Sequence, residues 1–198
     1  MNRIVKAGAV ALALSLPQGS AAQDWTGFYA GLGVSRNTGE DEQVYDPPPY
    51  AIFDLSGNQV RGFLGYNLQN GNLVYGGELV YSGGEINYEG YPAGDYYVGD
   101  TFQVKGRLGY AAGNALWFGT LGWVSSETHY DGATNNPITA NGHSFGVGVD
   151  FMIGEQMFVG GEIERRLTEF DMGSMGGFPL QGNKHQVDAF SLRLGFKF

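Results

Sequence analysis

The chain has 198 residues, no cysteine, 34 glycines, 28 aromatic residues and a formal net charge of −9. Without cysteine there are no disulfides, thiolate metal sites or cysteine nucleophiles. The glycines lack collagen's three-residue period, and so many aromatics exclude a disordered linker, which leaves one glycine-rich, acidic, all-β domain.

Residues 1–22 read as a secretory signal that is cleaved. Arg3 and Lys6 precede an apolar run from Ala7 to Leu16, and Ser20-Ala21-Ala22 supplies small residues for a peptidase. The run is too short for a membrane-spanning helix, which needs about 20 apolar residues. The mature domain is then 23–198, with a charge of −11 once Arg3 and Lys6 are gone. No later stretch reaches helix-spanning length, so any membrane crossing must use strands.

Period-2 alternation then marks eight strands. Thr26, Phe28, Ala30, Leu32 and Val34 form the apolar face of the first. Val60, Leu64, Tyr66 and Leu68 alternate with Arg61, Phe63, Gly65, Asn67 and Gln69 in the second. Tyr75, Leu79 and Tyr81 oppose Val74, Glu78 and Ser82, and Phe102, Val104, Leu108 and Tyr110 oppose Thr101, Gln103, Lys105 and Arg107. Residues 116–126 are large on both faces, so their outward side is undetermined. Phe145, Val147, Val149, Phe151 and Ile153 alternate with Ser144, Gly146, Gly148, Asp150 and Met152. Val159, Ile163 and Leu167 alternate with Gly160, Glu162, Glu164, Arg166 and Thr168, and Phe190 to Phe198 repeat the pattern around Arg193.

The connections alternate strictly in length. Asn70-Gly71-Asn72, Ala112 to Ala115 and Gly154-Glu155-Gln156 are short; roughly 37–57, 84–100, 127–142 and 171–185 are long. Short turns at one end and long loops at the other are the signature of an antiparallel up-and-down transmembrane β-barrel, with both termini on the periplasmic side. Each strand reaches the 9–11 residues needed to cross a bilayer. Aromatics cluster at strand ends as membrane girdles: Phe28, Tyr66, Tyr75, Tyr110, Phe151 and Phe198 for the periplasmic belt, Tyr81, Phe102, Trp123, Phe145 and Phe190 for the outer one. Arg165 alone among the charges falls in phase with the lipid face.

Asp24-Trp25-Thr26-Gly27-Phe28-Tyr29-Ala30-Gly31-Leu32-Gly33 resembles the opening strand of porin-family small outer-membrane β-barrels, the eight-stranded surface antigens of Gram-negative bacteria and especially alphaproteobacteria. Phe190 to Phe198 is similar to the terminal aromatic signal read by the barrel assembly machinery, and Ser144 to Phe151 with Phe158 to Phe170 resembles the family's sixth and seventh strands. The resemblance covers 23–198. It implies export to the outer membrane, contact with outer-membrane lipid and lipopolysaccharide, and a non-enzymatic role in surface display or envelope integrity. Members also include haemin binders and weak pores, so a narrow porin-like channel and a loop-mediated binder of haemin or a host molecule stay open.

By phase, the lumen receives Arg61, Glu78, Lys105, Arg107, Asp150, Glu162, Glu164, Arg166 and Arg193. An eight-stranded barrel is just wide enough for side chains to fill it, so these charges must pair as a structural plug or form a narrow gate. The four long loops carry twelve acids (Glu40, Asp41, Glu42, Asp46, Asp54, Glu85, Glu89, Asp95, Asp100, Glu127, Asp131 and Asp171) against Lys184 alone. With Tyr45, Tyr50, Tyr88, Tyr91, Tyr96, Tyr97 and Tyr130 they make an acidic, tyrosine-rich outer surface, which disfavours nucleic acid. His129, His143 and His185 fall near the outer rim without ligand spacing, and His143-Ser144 point to opposite faces, so neither a metal nor a catalytic site is assigned. No glycine-rich fingerprint opens a helix, and no cofactor is expected.

Overall fold

The computed structural model describes residues 22–45, 50–92, 95–130, 136–170, 174–175 and 178–198. The expected leader lies outside them except for Ala22, as do Asp46, Asp131 and Asp171. The chain forms β1 (Gly27–Tyr45), β2 (Tyr50–Asn70), β3 (Leu73–Gly83), β4 (Ile86–Tyr88), β5 (Tyr96–Ala112), β6 (Ala115–Tyr130), β7 (Ile138–Ile153), β8 (Met157–Phe170), β9 (Ser174–Met175) and β10 (Phe178–Lys197). Every pairing is antiparallel, and β1 pairs with both β2 and β10, which closes the wall. β4 continues the path of β3, in unchanged register on β2, and β9 is a short flap on β10. The closed wall therefore has eight strands.

The pairing fixes the shape of the barrel. A path across the strands from Leu32 runs through Gly62, Tyr81, Phe102, Ser125, Asn141, Glu169 and Lys184, and re-enters β1 at Glu42. A stagger of ten residues over eight strands tilts each strand by roughly 40–45° to the axis. Gly71 and Gly113 hold the first central position of two-residue turns with φ of 61° and 58°, which a type II′ hairpin requires.

The expected long loops are corrected by the structure. Most of the described residues in 37–57, 84–100, 127–142 and 171–185 are strand, and β2 alone runs 21 residues. That is about twice what a bilayer crossing needs, so the wall projects well beyond it. Apolar alternation ends where the bilayer ends, but backbone pairing continues, because ladder hydrogen bonds do not require apolar side chains. The acids Glu40, Asp41, Glu42, Asp54, Asp100 and Glu127 accordingly stand on strands.

The projecting wall has one irregularity. β5 gains an extra residue between Val98 and Thr101, beside the β3–β4 kink at Gly84, where φ is 125°. Gln59 reaches from the lumen to donate to the Gly84 and Gly99 carbonyls, at 3.3 and 2.9 Å. The Thr101 hydroxyl also donates to the Gly99 carbonyl, at 3.4 Å, so side chains supply donors beside the irregular ladder.

The outside of the barrel is apolar all round, with Leu32, Leu121 and Val147 each about two-thirds exposed. In 116–126 the outward residues are Trp117, Leu121 and Trp123, while Leu116, Phe118 and Val124 point inward. A continuous exposed band of this kind is incompatible with water on that face. The lumen is filled in three layers. An aromatic cluster at the turn end includes Trp25, Tyr29, Phe63, Phe118 and Phe158; a second apolar cluster at the opposite end includes Leu55, Ile86, Tyr88, Val98, Tyr130 and Phe170. Charged groups lie between them.

Ahead of β1 the chain crosses the turn-end mouth. The Gln23 backbone N–H donates to the carbonyl of Gly113, in the β5–β6 turn across the barrel, at 2.8 Å. Trp25 donates its backbone N–H to Gln69 Oε1 at 2.8 Å and is only 2% exposed, with its ring edge-on to Phe158. The Thr26 N–H bonds Asp24 Oδ1 and holds that carboxyl below its ordinary value.

Candidate functional site

The middle of the lumen holds the charges selected by strand phase. Arg61, Glu78, Lys105, Arg107, Asp150, Glu162, Glu164, Arg166 and Arg193 all point inward, and none is more than 6% exposed. All eight wall strands contribute inward polar or charged groups to this layer, so no single hairpin could assemble it.

Two hubs organise the layer. Glu78 accepts from Arg193 at 2.6 and 3.3 Å and from the Tyr29 hydroxyl at 3.0 Å, with Lys105 at 3.6 Å and Arg107 at 3.8 Å. Glu162 takes the Lys105 ammonium on both oxygens at 2.9 Å and the Thr120 hydroxyl at 2.9 Å. Arg107 pairs with Asp150, which also lies 3.4 Å from Arg193. Arg61 donates to Glu164 and Gln103 at 3.1 Å and to Ser191, and Gln103 donates to Glu164. Arg166 bonds the neutral acceptors Asn37 and Gln59.

The charged layer is bonded to the aromatic floor beneath it. The Arg107 guanidinium lies 3.7 Å from the Phe118 ring centroid and that of Arg193 lies 4.1 Å from Phe63. Such contacts compensate part of the desolvation of a buried cation. A cavity of about 10 Å³ bounded by Arg61, Phe63, Glu78, Glu162, Ser191 and Arg193 has room for one water molecule. Chemically the arrangement neutralises buried charge and fills space.

On the outside, Phe28 packs on Tyr66 at 4.6 Å, and Tyr75, Tyr110 and Phe198 are exposed at the same end, with Phe151 half-buried. Tyr81 and Phe102 are cross-strand partners at the other end, where Trp123, Phe145 and Phe190 are also exposed. Trp117, opposite Tyr110, joins the turn-end group and escaped the sequence reading because its strand had no determined face. Arg165 does project from the outer wall, held by Asp188 through two bonds of 2.6 Å.

Three residues expected on the outer surface are corrected. Asp41, Tyr88 and Tyr130 point into the lumen and are buried. They keep the inward phase set by Tyr29, Glu78 and Phe118, so extending that phase past the apolar face finds them. The three histidines do not meet: His143 faces outward, His129 stacks on Tyr97 at 4.5 Å, and His185 is inside the lumen. No group of three or more His, Asp or Glu side chains among the described residues is placed to hold a metal ion. Ser144 is buried inside while His143 is outside, so that pair makes no nucleophile.

Comparison with known proteins agrees with this geometry. A family model for the outer membrane protein beta-barrel domain matches residues 7–198. A 22 kDa outer membrane protein of Rhizobium leguminosarum bv. viciae is 30% identical over 181 residues, covering 88% of this chain and 74% of the relative. Among solved structures, the outer membrane protein AlkL in DMPC bilayers superposes with a TM-score of 0.55 at 17% identity, over 92% of this chain and 94% of AlkL. OprG from Pseudomonas aeruginosa gives a TM-score of 0.49 at 16% identity, over 90% of this chain and 98% of OprG. The AlkL likeness speaks to the fold alone.

Proposed function

Because the chain belongs to the outer membrane protein beta-barrel domain family and resides in the outer membrane, we propose that it is a closed, non-enzymatic barrel that serves envelope integrity and surface display. The observation that carries this reading is the lumen. Five cations and four carboxylates are packed between two apolar layers, around a cavity of about 10 Å³. Hydrated ions need a continuous wet path, and opening one would unpair charges whose desolvation costs several kcal/mol each.

The two aromatic belts then lie at the membrane interfaces, with the exposed aliphatic residues between them against lipid. The projecting wall stands outside the cell beside lipopolysaccharide, and Phe198 ends the segment offered to the barrel assembly machinery. The acidic face of the projection suits cationic or divalent-bridged partners.

Single-channel conductance in a planar bilayer tests the reading. Refolded protein should be silent, and Glu78→Gln and Arg107→Ala should leave it so. Discrete, reproducible steps that change in size with either substitution would make the same charges a gate and overturn the closed barrel.

A further inference from the structure

Four side chains converge inside the projecting half of the lumen, one each from β1, β4, β6 and β10. Tyr88 Oη lies 2.8 Å from His185 Nε2 and is hydrogen-bonded to Tyr130 Oη. Tyr130 Oη donates to Asp41 Oδ2 at 3.4 Å, and Asp41 Oδ1 is 3.4 Å from His185 Nε2. All four residues are at most 3% exposed. Carboxylate and imidazole alone would be two donors; the phenols make four.

The surroundings make this grouping unusual. Phe170 packs on the His185 ring at 4.7 Å and Tyr96 on Tyr130 at 5.5 Å, and Leu55, Ile86 and Val187 complete an apolar shell. Well-packed apolar residues commonly replace a buried polar pair without loss of stability, so stability alone is a weak reason for an acid and an imidazole here. The separations do suggest a use. Atoms that each lie about 2.0–2.2 Å from one ion stand roughly 3 Å from one another. Here the four groups stand within 2.8–3.4 Å of one another along three edges, two of which involve a phenol hydroxyl.

We propose that Asp41, Tyr88, Tyr130 and His185 form a binding site for a hard trivalent cation of the ferric class. Binding replaces the two phenol protons, which leave to solvent, by one ion. Two phenolates and a carboxylate carry three negative charges, which neutralise a trivalent ion in an apolar shell, and the neutral imidazole supplies the fourth donor. An oxygen-rich anionic set of this kind disfavours soft or monovalent ions. Glu40, Glu42, Asp54 and Glu169 on the projecting wall, with Glu89 in the turn after β4, raise the local cation concentration. The proposal is independent of whether the barrel conducts.

The test is a titration of the detergent-solubilised, folded protein with ferric nitrilotriacetate. Phenolate bound to ferric iron gives a visible charge-transfer absorption that surface carboxylates cannot produce. One iron per chain should survive gel filtration, with that absorption. Tyr88→Phe and Tyr130→Phe should each weaken retention at least tenfold, and the double variant should abolish the colour. Both substitutions keep the ring in its aromatic shell, and altered gel mobility of unboiled protein checks the fold. No retained iron in the wild type, or colour undiminished in the folded double variant, overturns the site. So does tighter binding of Zn(II) than of ferric iron. If the variants do not fold, X-ray absorption at the iron edge of the wild type decides: an oxygen shell with one imidazole supports the site, and a shell without it overturns it.

Discussion

Replacing Glu78 by Gln removes one charge from a site where three cations meet. The carboxylate takes both terminal nitrogens of Arg193 and the Tyr29 hydroxyl, with Lys105 and Arg107 within 4 Å. The amide keeps the shape but presents one acceptor where there were two, and its NH₂ faces guanidinium N–H groups. The layer goes from five cations against four anions to five against three. Uncovering one partner of a buried pair costs about 3–5 kcal/mol, or roughly two to nearly four decades in the folding equilibrium. Urea unfolding of the protein in lipid vesicles, followed by tryptophan fluorescence, reads this as a lower midpoint at unchanged slope; urea, unlike guanidinium, leaves the charges unscreened. The cycle with Arg193→Met separates pair from packing. Each single variant should be strongly destabilised, and Glu78→Gln combined with Arg193→Met should lose much less than the two single losses summed. A loss below about 1 kcal/mol for Glu78→Gln, or additive losses in the cycle, would mean that water screens the layer and that burial there was misjudged.

Other substitutions probe the remaining layers in the same assay. At Gly195 a Cβ would meet the Phe158 ring at 2.2–2.7 Å, so Gly195→Ala should cost about 1–3 kcal/mol. At Gly106, on the lipid face, the nearest atom is 3.7 Å away, and Gly106→Ala should stay within about 0.5 kcal/mol. Trp25→Ala should cost about 3–5 kcal/mol by emptying the turn-end mouth, visible as a lower urea midpoint. Asp188→Asn should cost no more than about 1 kcal/mol, because the pair with Arg165 is about two-fifths exposed; a larger loss would put Arg165 deeper in the membrane.

The wall and its charged filling were legible because a bilayer and a narrow lumen impose opposite chemistry on alternate residues. Leu64 and Arg61, or Ile163 and Glu162, could only be placed one way. Residues 116–126 escaped because Phe118 and Leu116 fill the lumen at the level of the aromatic floor, where inside is as apolar as outside. The projecting wall escaped for the converse reason. Beyond the bilayer Glu40 and Asp41 are both acidic, although one faces water and the other His185, so composition no longer reports direction. Only the unbroken count from Tyr29 carries it. The bulge at Gly99 breaks that count in β5, and no residue pattern announced it.

The closure of β1 on β10 has a consequence for assembly. Arg193 belongs to the strand made last, yet it supplies the guanidinium that Glu78 and Asp150 share, while Ser191 beside it receives Arg61. A barrel lacking its final strand would leave Glu78 without its two-pronged Arg193 partner and Arg61 without Ser191, along an open seam. Insertion of β10 therefore completes the backbone ladder and the hydrogen bonding of the charged layer in one event. The wall and its contents should form together, with no populated state in which one is finished before the other.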